Sequence, residues 1–129
     1  MLEILLAFCV VIALDHATKA LAARTQGNKL RLVRPLPALR VASSLPMLFL
    51  LWAVIASLVS LLLAVTGALA SPVLCAALGT VLGGSLSNAL DQAARGTVID
   101  FIDLRIWPVF NLADVAIVVG TSVLVWGVA

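Results

Sequence analysis

Four long apolar segments constrain the fold of this 129-residue chain more than any other feature. They cover approximately residues 2–22, 46–68, 71–94 and 111–129. Each approaches the roughly 20 residues that a helix needs to cross the hydrocarbon core of a bilayer. Lipid offers no partners to backbone N–H and C=O groups, so segments of this kind span as helices. The chain is also 64% hydrophobic. We therefore expect an all-α membrane protein with a single integral membrane domain over residues 1–129.

The connections between the segments complete this expected architecture. The short, uncharged link GALASP between the second and third segments predicts an antiparallel hairpin. With four crossings, the two longer connections, residues 23–45 and 95–110, lie on the same side of the membrane. Both contain alternating apolar and polar residues, which is the pattern of a half-buried strand. We predict a four-transmembrane-helix bundle with a small membrane-surface β-sheet formed by the two long connections.

Two copies of the motif Asn-x-x-Asp lie at the ends of the third and fourth segments. They are Asn88 with Asp91 and Asn111 with Asp114. An ionisable side chain within a membrane segment is costly and indicates a functional site by default. Because the third and fourth helices are predicted to be antiparallel neighbours, we expect Asp91 and Asp114 to lie close together on one face of the bundle.

Paired aspartates suit acid–base chemistry, because two neighbouring carboxyl groups do not both ionise easily and one keeps its proton. Such a pair can take a proton from water while it gives another to a carbonyl oxygen, which is amide hydrolysis without a metal. We predict Asp91 and Asp114 to be catalytic, with Asn88 and Asn111 orienting them or binding substrate. The alternative is that the aspartates are structural and pair with a nearby arginine, Arg95 or Arg105.

Three further charged residues near this face are predicted to have structural roles. Asp15 and Lys19 are spaced i, i+4 in the favourable order for a helix ion pair, which predicts a tether at the end of the first helix. Asp100 alternates with apolar neighbours and is expected to return toward the site.

Small residues recur at every fourth position of the third segment. Gly79, Gly83 and Ser87 form a stripe that continues into Asp91. Small residues at this spacing let two helices approach closely. We therefore expect a close helix contact that leads directly to Asp91.

Little in the sequence points to a metal or cofactor. The two cysteines, Cys9 and Cys75, lie in apolar runs and are predicted to be core residues. His16 is the only histidine and cannot form a metal site alone, and no phosphate-binding loop is present. We expect no cofactor, no metal and no nucleic acid partner, and a monomer whose partners are the lipid bilayer and a lipophilic substrate. The first segment carries Asp15 and Lys19 late in its run, so we expect it not to be a cleavable signal peptide.

The chain resembles the lipoprotein signal peptidase (signal peptidase II) family. The blocks that carry the resemblance are DHATK (15–19), GGSLSNALDQ (83–92), GTVIDF (96–101) and FNLAD (110–114). It implies a multi-pass aspartic peptidase of the bacterial inner (cytoplasmic) membrane that cuts the signal peptide of a diacylglyceryl-modified prolipoprotein just before the lipidated cysteine. It further implies a catalytic dyad of Asp91 and Asp114, a site lined by Asn88 and Asn111, a surface sheet that cradles the substrate, and no cofactor.

The sequence departs from the family pattern at four positions. Ser43 and Leu45 stand where the family has asparagine and glycine, Ser87 replaces a glycine, and Gln92 replaces an arginine. We assign Ser43 to substrate binding, with a shorter reach than asparagine. Leucine in place of glycine fills space where a lipidated peptide would pass. We therefore expect weaker binding of a standard lipidated peptide than in the family.

The charge distribution leaves the function open. All eight Lys and Arg residues are predicted to lie on the active-site side, which the positive-inside rule would place in the cytoplasm. The family places that side on the outer face. Three functions follow: an aspartic peptidase acting on lipid-anchored peptides; a relative recruited to acid–base chemistry, such as cyclisation, on a lipophilic small molecule in a biosynthetic pathway; or a non-catalytic membrane partner.

Overall fold

The computed structural model describes residues 1–26, 31–33, 45–106 and 108–128 of the chain. Within these ranges four α-helices form, and they lie within a few residues of the four apolar segments. The prediction of a mostly helical chain with four helices is therefore confirmed. The helices are α1 (Leu2–Gln26), α2 (Leu45–Val65), α3 (Pro72–Arg95) and α4 (Leu112–Val128), with a 3₁₀ turn (Ala68–Ala70) between α2 and α3.

Two of these helices are long and apolar enough to cross a membrane by length and composition, namely Leu2–Thr25 and Pro72–Arg95. At 1.5 Å per residue, a 24-residue helix extends about 36 Å, more than the roughly 30 Å of hydrocarbon. The apolar stretches of the other two helices are shorter: Trp52–Val65 in α2 and Leu112–Gly127 in α4.

Helix α3 has well-defined ends that the sequence explains. Ser71 caps its N-terminus by accepting a hydrogen bond from the Leu74 N–H, and Pro72 occupies the first turn, where its missing N–H is not needed. At the other end Gly96 adopts a left-handed conformation with φ 67°, and its N–H donates to the Gln92 carbonyl. This turn leads directly into the strand that follows.

Helix α3 lies at the centre, between α1 and α4. A Cβ added at Gly83 would lie 2.8 Å from the Phe8 carbonyl oxygen of α1, and one at Gly84 would lie 2.6 Å from the Ala113 carbonyl oxygen of α4. The predicted close contact along the small-residue stripe is therefore present, with α1 as the partner helix. Gly79 faces Ile4 one turn earlier, so α1 and α3 run parallel.

The third and fourth helices run antiparallel, as predicted. Gly120 near the end of α4 packs against Ala77 near the start of α3, while Ala113 at the start of α4 packs against Gly84. The end of α3 and the start of α4 therefore lie together.

A two-stranded antiparallel sheet joins the two long connections. Strand β1 (Arg31–Val33) pairs with β2 (Val98–Asp100), and Arg31 lies opposite Asp100. An isolated antiparallel β-bridge between Ile102 and Phe110 then brings the two ends of the loop before α4 together. The sheet thus places Asp100 beside the end of α3 and the start of α4.

The buried residues separate into an apolar end and a polar end. At one end, Leu63 of α2, Leu78 of α3 and Leu124 of α4 belong to a single apolar cluster. The other end contains six buried polar or charged side chains: Asp15, Lys19, Ser87, Asp91, Asp100 and Asn111. Burial of this many polar groups is costly unless each has partners. Within the described ranges, no buried side-chain N or O atom lacks a hydrogen-bond partner.

Candidate active site

The second Asn-x-x-Asp motif forms the N-terminal cap of α4. Asn111 precedes the first residue of the helix, and its Oδ1 accepts a hydrogen bond from the Asp114 N–H at 2.9 Å. The Asn111 N–H in turn donates to Asp114 Oδ2 at 3.1 Å. This reciprocal pair is a capping box, and it satisfies two N–H groups that a helix start leaves free. The motif therefore fixes the Asp114 carboxylate at the start of the helix.

The two asparagines connect Asp114 to a second carboxylate. Asn88 Nδ2 donates to Asp114 Oδ1 at 2.8 Å, and Asn88 Oδ1 accepts from Asn111 Nδ2 at 3.0 Å. The same Asn111 Nδ2 donates to Asp100 Oδ1 at 2.7 Å. Asp100 and Asp114 are thus held by one chain of amide hydrogen bonds, although they lie on different elements.

Asp91 has cationic partners. Its Oδ2 forms an ion pair with Lys19 Nζ at 2.7 Å, and its Oδ1 pairs with Arg95 one turn further along α3. The Ile99 N–H also points at Oδ2, at 3.5 Å. Asp91 is fully buried, so both of its carboxylate oxygens are occupied away from solvent.

Asp15 joins three helices. Its Oδ2 accepts from Ser87 Oγ of α3 at 2.6 Å and pairs with Lys19 Nζ of its own helix at 2.5 Å. Its Oδ1 accepts from the Ala113 N–H in the first turn of α4 at 2.9 Å. The predicted ion pair with Lys19 is present, and the cap on α4 is a contact that the sequence did not indicate.

The structure brings Asp91 and Asp114 into one polar network. Lys19 contacts both Asp91 and the Asn88 side chain, and Asn88 contacts Asp114. The contacts of Asp91 match the structural alternative, in which it pairs with Arg95. The catalytic role of Asp91 stays a prediction, and Asp100 has the contacts that join it to Asp114. The sequence signals for Asp100 are the alternation in VIDFID and its place in the block GTVIDF.

The carboxyl group of Asp100 has an unusually high pKa. Its pKa is raised from 3.8 to about 6, first by burial and second by the negative charge of Asp114, while the hydrogen bond from Asn111 acts in the opposite direction. Among the described residues, Asn111 is the one hydrogen-bond partner of its carboxylate. Asp100 is therefore suited to carry a proton beside the second carboxyl group.

An apolar cleft of about 350 Å³ opens beside Asp114. Its lining is otherwise apolar and comes from α4 and the loop before it: Leu104, Phe110, Val115, Val118 and Val119. Within the described ranges, no three His, Cys, Asp or Glu side chains are arranged to hold a metal ion. The cleft therefore offers an apolar surface that ends at a carboxylate.

The departures from the family pattern occupy different places. Ser87 is fully buried, donates to Asp15, and is not among the side chains that line the apolar cleft. Gln92 stands where the family has arginine. A guanidinium still reaches Asp91, because Arg95 lies one helical turn after it and pairs with its carboxylate. Leu45 begins α2, and Ser43 lies outside the described residues.

Comparisons with known proteins show which proteins this chain is similar to. The lipoprotein signal peptidase of Moorella thermoacetica is 56% identical over 55 residues, covering 43% of this chain and 37% of that protein. The lipoprotein signal peptidase of Pelotomaculum thermopropionicum is 58% identical over 55 residues, covering 43% and 36%. The alignments thus span little more than a third of the length of these curated relatives.

The fold and the family are shown by two further matches. A solved structure of a bacterial membrane enzyme superposes with a TM-score of 0.69 at 19% identity, covering 95% of this chain and 90% of that one, and so shares the fold. The sequence profile described as Signal peptidase (SPase) II matches residues 7–129. Since that match includes nearly all of the sequence, the chain belongs to the signal peptidase II family.

Proposed function

We propose that this protein is an intramembrane aspartic endopeptidase that hydrolyses a peptide bond in the signal peptide of a lipid-modified prolipoprotein. The observation that carries the proposal is the pair of carboxyl groups, Asp100 and Asp114, which one chain of amides holds together, with Asp114 lining an apolar cleft. Family membership supports the same reaction class.

Asp100 replaces Asp91 in the proposed catalytic pair. Asp91 is paired with Lys19 and Arg95, so both of its carboxylate oxygens already have cationic partners. A general acid must carry a proton, and a raised pKa of about 6 makes Asp100 the better carrier. Asp91 then serves to hold Lys19 and the end of α3 in place.

The proposed reaction consumes one water molecule. It has two steps, formation and breakdown of a tetrahedral intermediate, and each step includes two proton transfers. Asp114 takes a proton from water as the water oxygen bonds to the scissile carbonyl carbon, and Asp100 gives its proton to the carbonyl oxygen. In the second step Asp114 gives its proton to the leaving nitrogen as the C–N bond breaks, and Asp100 regains a proton from a hydroxyl of the intermediate. One peptide bond is broken, one water is consumed, and both carboxyl groups return to their starting states.

The apolar cleft supports a lipid-bearing substrate. An acyl chain laid against Val115, Val118 and Val119 would meet side chains of its own polarity. Because the chain would move there from lipid and not from water, close packing would have to supply the binding free energy. Asp114 lines the same cleft, which would bring a peptide bond near the lipid attachment to the carboxylate. This arrangement fits cleavage beside a lipidated residue.

We further propose that all four helices span the bacterial inner membrane, with the β1–β2 sheet at its surface and one copy of the chain sufficient for activity. Apolar side chains face outward along the helices, including Leu5 of α1, Leu58 of α2 and Val118 of α4. A water-soluble protein rarely exposes so much contiguous apolar surface. Lipid is the solvent that suits these faces.

Shape-conserving changes at the carboxyl groups, which replace each carboxylate by an amide, test the assignment. Purified protein in lipid is given a diacylglyceryl-modified prolipoprotein, and the product mass is measured. Asp100→Asn and Asp114→Asn should each lower turnover by at least about 100-fold, because an amide keeps the shape but cannot exchange a proton. Asp103→Asn is the matched control, since Asp103 is exposed on the same loop and bonds only the Arg105 N–H within the described ranges.

The same assay separates the two possible partners of Asp114. Near-normal turnover by Asp100→Asn, together with inactivity of a folded Asp91→Asn variant, would restore Asp91 to the catalytic pair. Thermal unfolding of each variant in detergent shows whether it is folded.

The recruited small-molecule enzyme is the second candidate, and the basic residues on the active-site side favour it. It would use the same carboxyl groups on a lipophilic small molecule. A folded wild-type protein that does not cut the prolipoprotein, and whose site faces the cytoplasm, would support this candidate over the peptidase.

A further inference from the structure

We propose that Ser87 is a positioning residue for Asp114 and that it acts through Asp15 and the first turn of α4. The proposal rests on the proposed function in one respect, which is that Asp114 is taken as a catalytic carboxylate. It concerns a position at which this chain departs from the family pattern.

The Ser87 hydroxyl fixes the orientation of Asp15. Ser87 Oγ donates to Asp15 Oδ2 at 2.6 Å, and both side chains are fully buried. Asp15 Oδ1 is then directed at the Ala113 N–H, 2.9 Å away. Hydrogen bonds to an ionised group are short and strong, so the plane of this carboxylate is set by partners on two other helices.

The Ala113 N–H is a sensitive point for the catalytic carboxylate. Ala113 is the second residue of α4 and directly precedes Asp114. The first N–H groups of a helix have no partner within it, and an anion near the helix start stabilises that end. Asp15 therefore fixes the backbone to which Asp114 is attached. A small displacement of a reacting group lowers catalysis strongly.

Lys19 does not replace Ser87 in this task. Its Nζ is shared among Asp15 Oδ2, Asp91 Oδ2 and Asn88 Oδ1, so it draws Asp15 toward the end of α3. The Ser87 hydroxyl holds the same oxygen from α3 one turn earlier. Helix α3 thus controls Asp114 in two ways, directly through Asn88 and indirectly through Ser87 and Asp15.

The small-residue stripe explains why a hydroxyl fits at this position. At Gly83 the α1 backbone is so close that an added Cβ would lie 2.8 Å from the Phe8 carbonyl oxygen. One turn later the helices are joined by side chains, and Ser87 fills the gap to Asp15. At Gly83 the two helices meet through their backbones, whereas at Ser87 they meet through a side-chain hydrogen bond.

Ser87→Ala tests the proposal by removing only the hydroxyl. Hydrogen exchange of the peptide containing the start of α4, followed by mass spectrometry, should accelerate by about tenfold, because Asp15 then lacks the partner that directs its Oδ1 at the Ala113 N–H. Turnover should fall about fivefold to tenfold while KM changes less than about twofold, because Asp114 is misplaced and the apolar cleft is intact.

Ser85→Ala is the matched control. Ser85 lies on the same helix, and its hydroxyl bonds Trp52 and the Leu82 carbonyl instead of the polar network. It should leave exchange at the start of α4 and turnover unchanged. Equal acceleration in both variants would mean general loosening of α3 and would overturn the positioning role.

A double-mutant cycle with Asp15→Asn tests whether Ser87 acts through Asp15. If it does, Ser87→Ala should add almost nothing to the loss already caused by Asp15→Asn. Fully additive losses would overturn the proposal, as would wild-type exchange in the single Ser87→Ala variant. The exchange result decides the matter even if Asp15→Asn does not fold. It also separates this proposal from the function: accelerated exchange in a protein that cuts no prolipoprotein would support the contact and refute the peptidase.

Discussion

Three buried aspartates in this site differ in the partners that surround them. Asp91 lies between two cations, Asp15 accepts a helix N–H and a hydroxyl, and Asp100 meets an amide and the charge of Asp114. Identical carboxyl groups can take different roles when they meet different partners. The residue that the motif made most prominent, Asp91, is the one whose surroundings suit a structural role best.

The protonation of Asp100 predicts a pH limit on activity. Its pKa of about 6 means that the proton-bearing form declines as pH rises through that value. If Asp100 is the general acid, kcat/KM should therefore fall on the alkaline side of about pH 6. The measurement is kcat/KM against pH in lipid, with thermal unfolding at each pH as the control. A constant kcat/KM from pH 5 to about pH 8 would contradict the assignment.

The same pKa predicts how stability changes with pH. The folded protein binds the Asp100 proton more tightly than the unfolded chain, whose pKa is near 3.8. The contribution to stability is therefore fully present below about 3.8 and is lost as pH rises through about 6. Asp100→Asn should remove this part of the pH dependence, which thermal unfolding of the two proteins at matched pH values can measure.

At the scale of elements, the approach of α1 to α3 depends on glycine. A Cβ at Gly79 would collide with the Ile4 carbonyl oxygen, and both atoms belong to helix backbones that cannot move independently. Gly79→Ala should therefore lower the thermal midpoint, although alanine favours a helix by about 1 kcal/mol over glycine. It should also lower turnover, because α1 carries Asp15 and Lys19 to the site.

Gly67→Ala is the comparison for this substitution. Gly67 has φ 74°, but no atom lies within 4 Å of an added Cβ, so only backbone strain of about 1 kcal/mol is expected. Turnover should stay near normal in this variant. A larger loss from Gly67→Ala than from Gly79→Ala would show that the helix contact matters less than the packing implies.

Local sequence patterns predicted the helices well and the partners of the site poorly. The apolar runs identified all four helices, because length and polarity are local properties, and the short link identified the antiparallel order of α2 and α3. The position of Asp100 depends on pairing with Arg31, which is 69 residues away, and on the left-handed turn at Gly96. The bond between Asp15 and Ala113 likewise joins residues that are 98 positions apart. No periodic pattern encodes such contacts.

At the scale of the whole molecule, the arrangement predicts where each loop lies relative to the membrane. With Cys9 and Cys75 replaced by alanine, Asp103→Cys should react with a membrane-impermeant maleimide added outside the cell, as a peptidase site on the outer face requires. Ala70→Cys, in the exposed turn between α2 and α3, should react only after permeabilisation. Reaction of both from the same side would contradict four crossings.

The reverse labelling pattern would have a different meaning. Four crossings would stand, but the site would face the cytoplasm, in agreement with the positive-inside rule. That result would favour the recruited small-molecule enzyme.

The contact between Asp15 and Ala113 also bears on how the protein is made. Helix α1 is synthesised first and α4 last. The Asp15 carboxylate therefore has no α4 N–H to bind until the three later helices have been made. During that interval Lys19 neutralises it, since the two residues share a helix turn. The start of α4, and with it Asp114, acquires its final geometry only when the last helix meets the first. A partly synthesised chain would therefore lack the contact that fixes the start of α4.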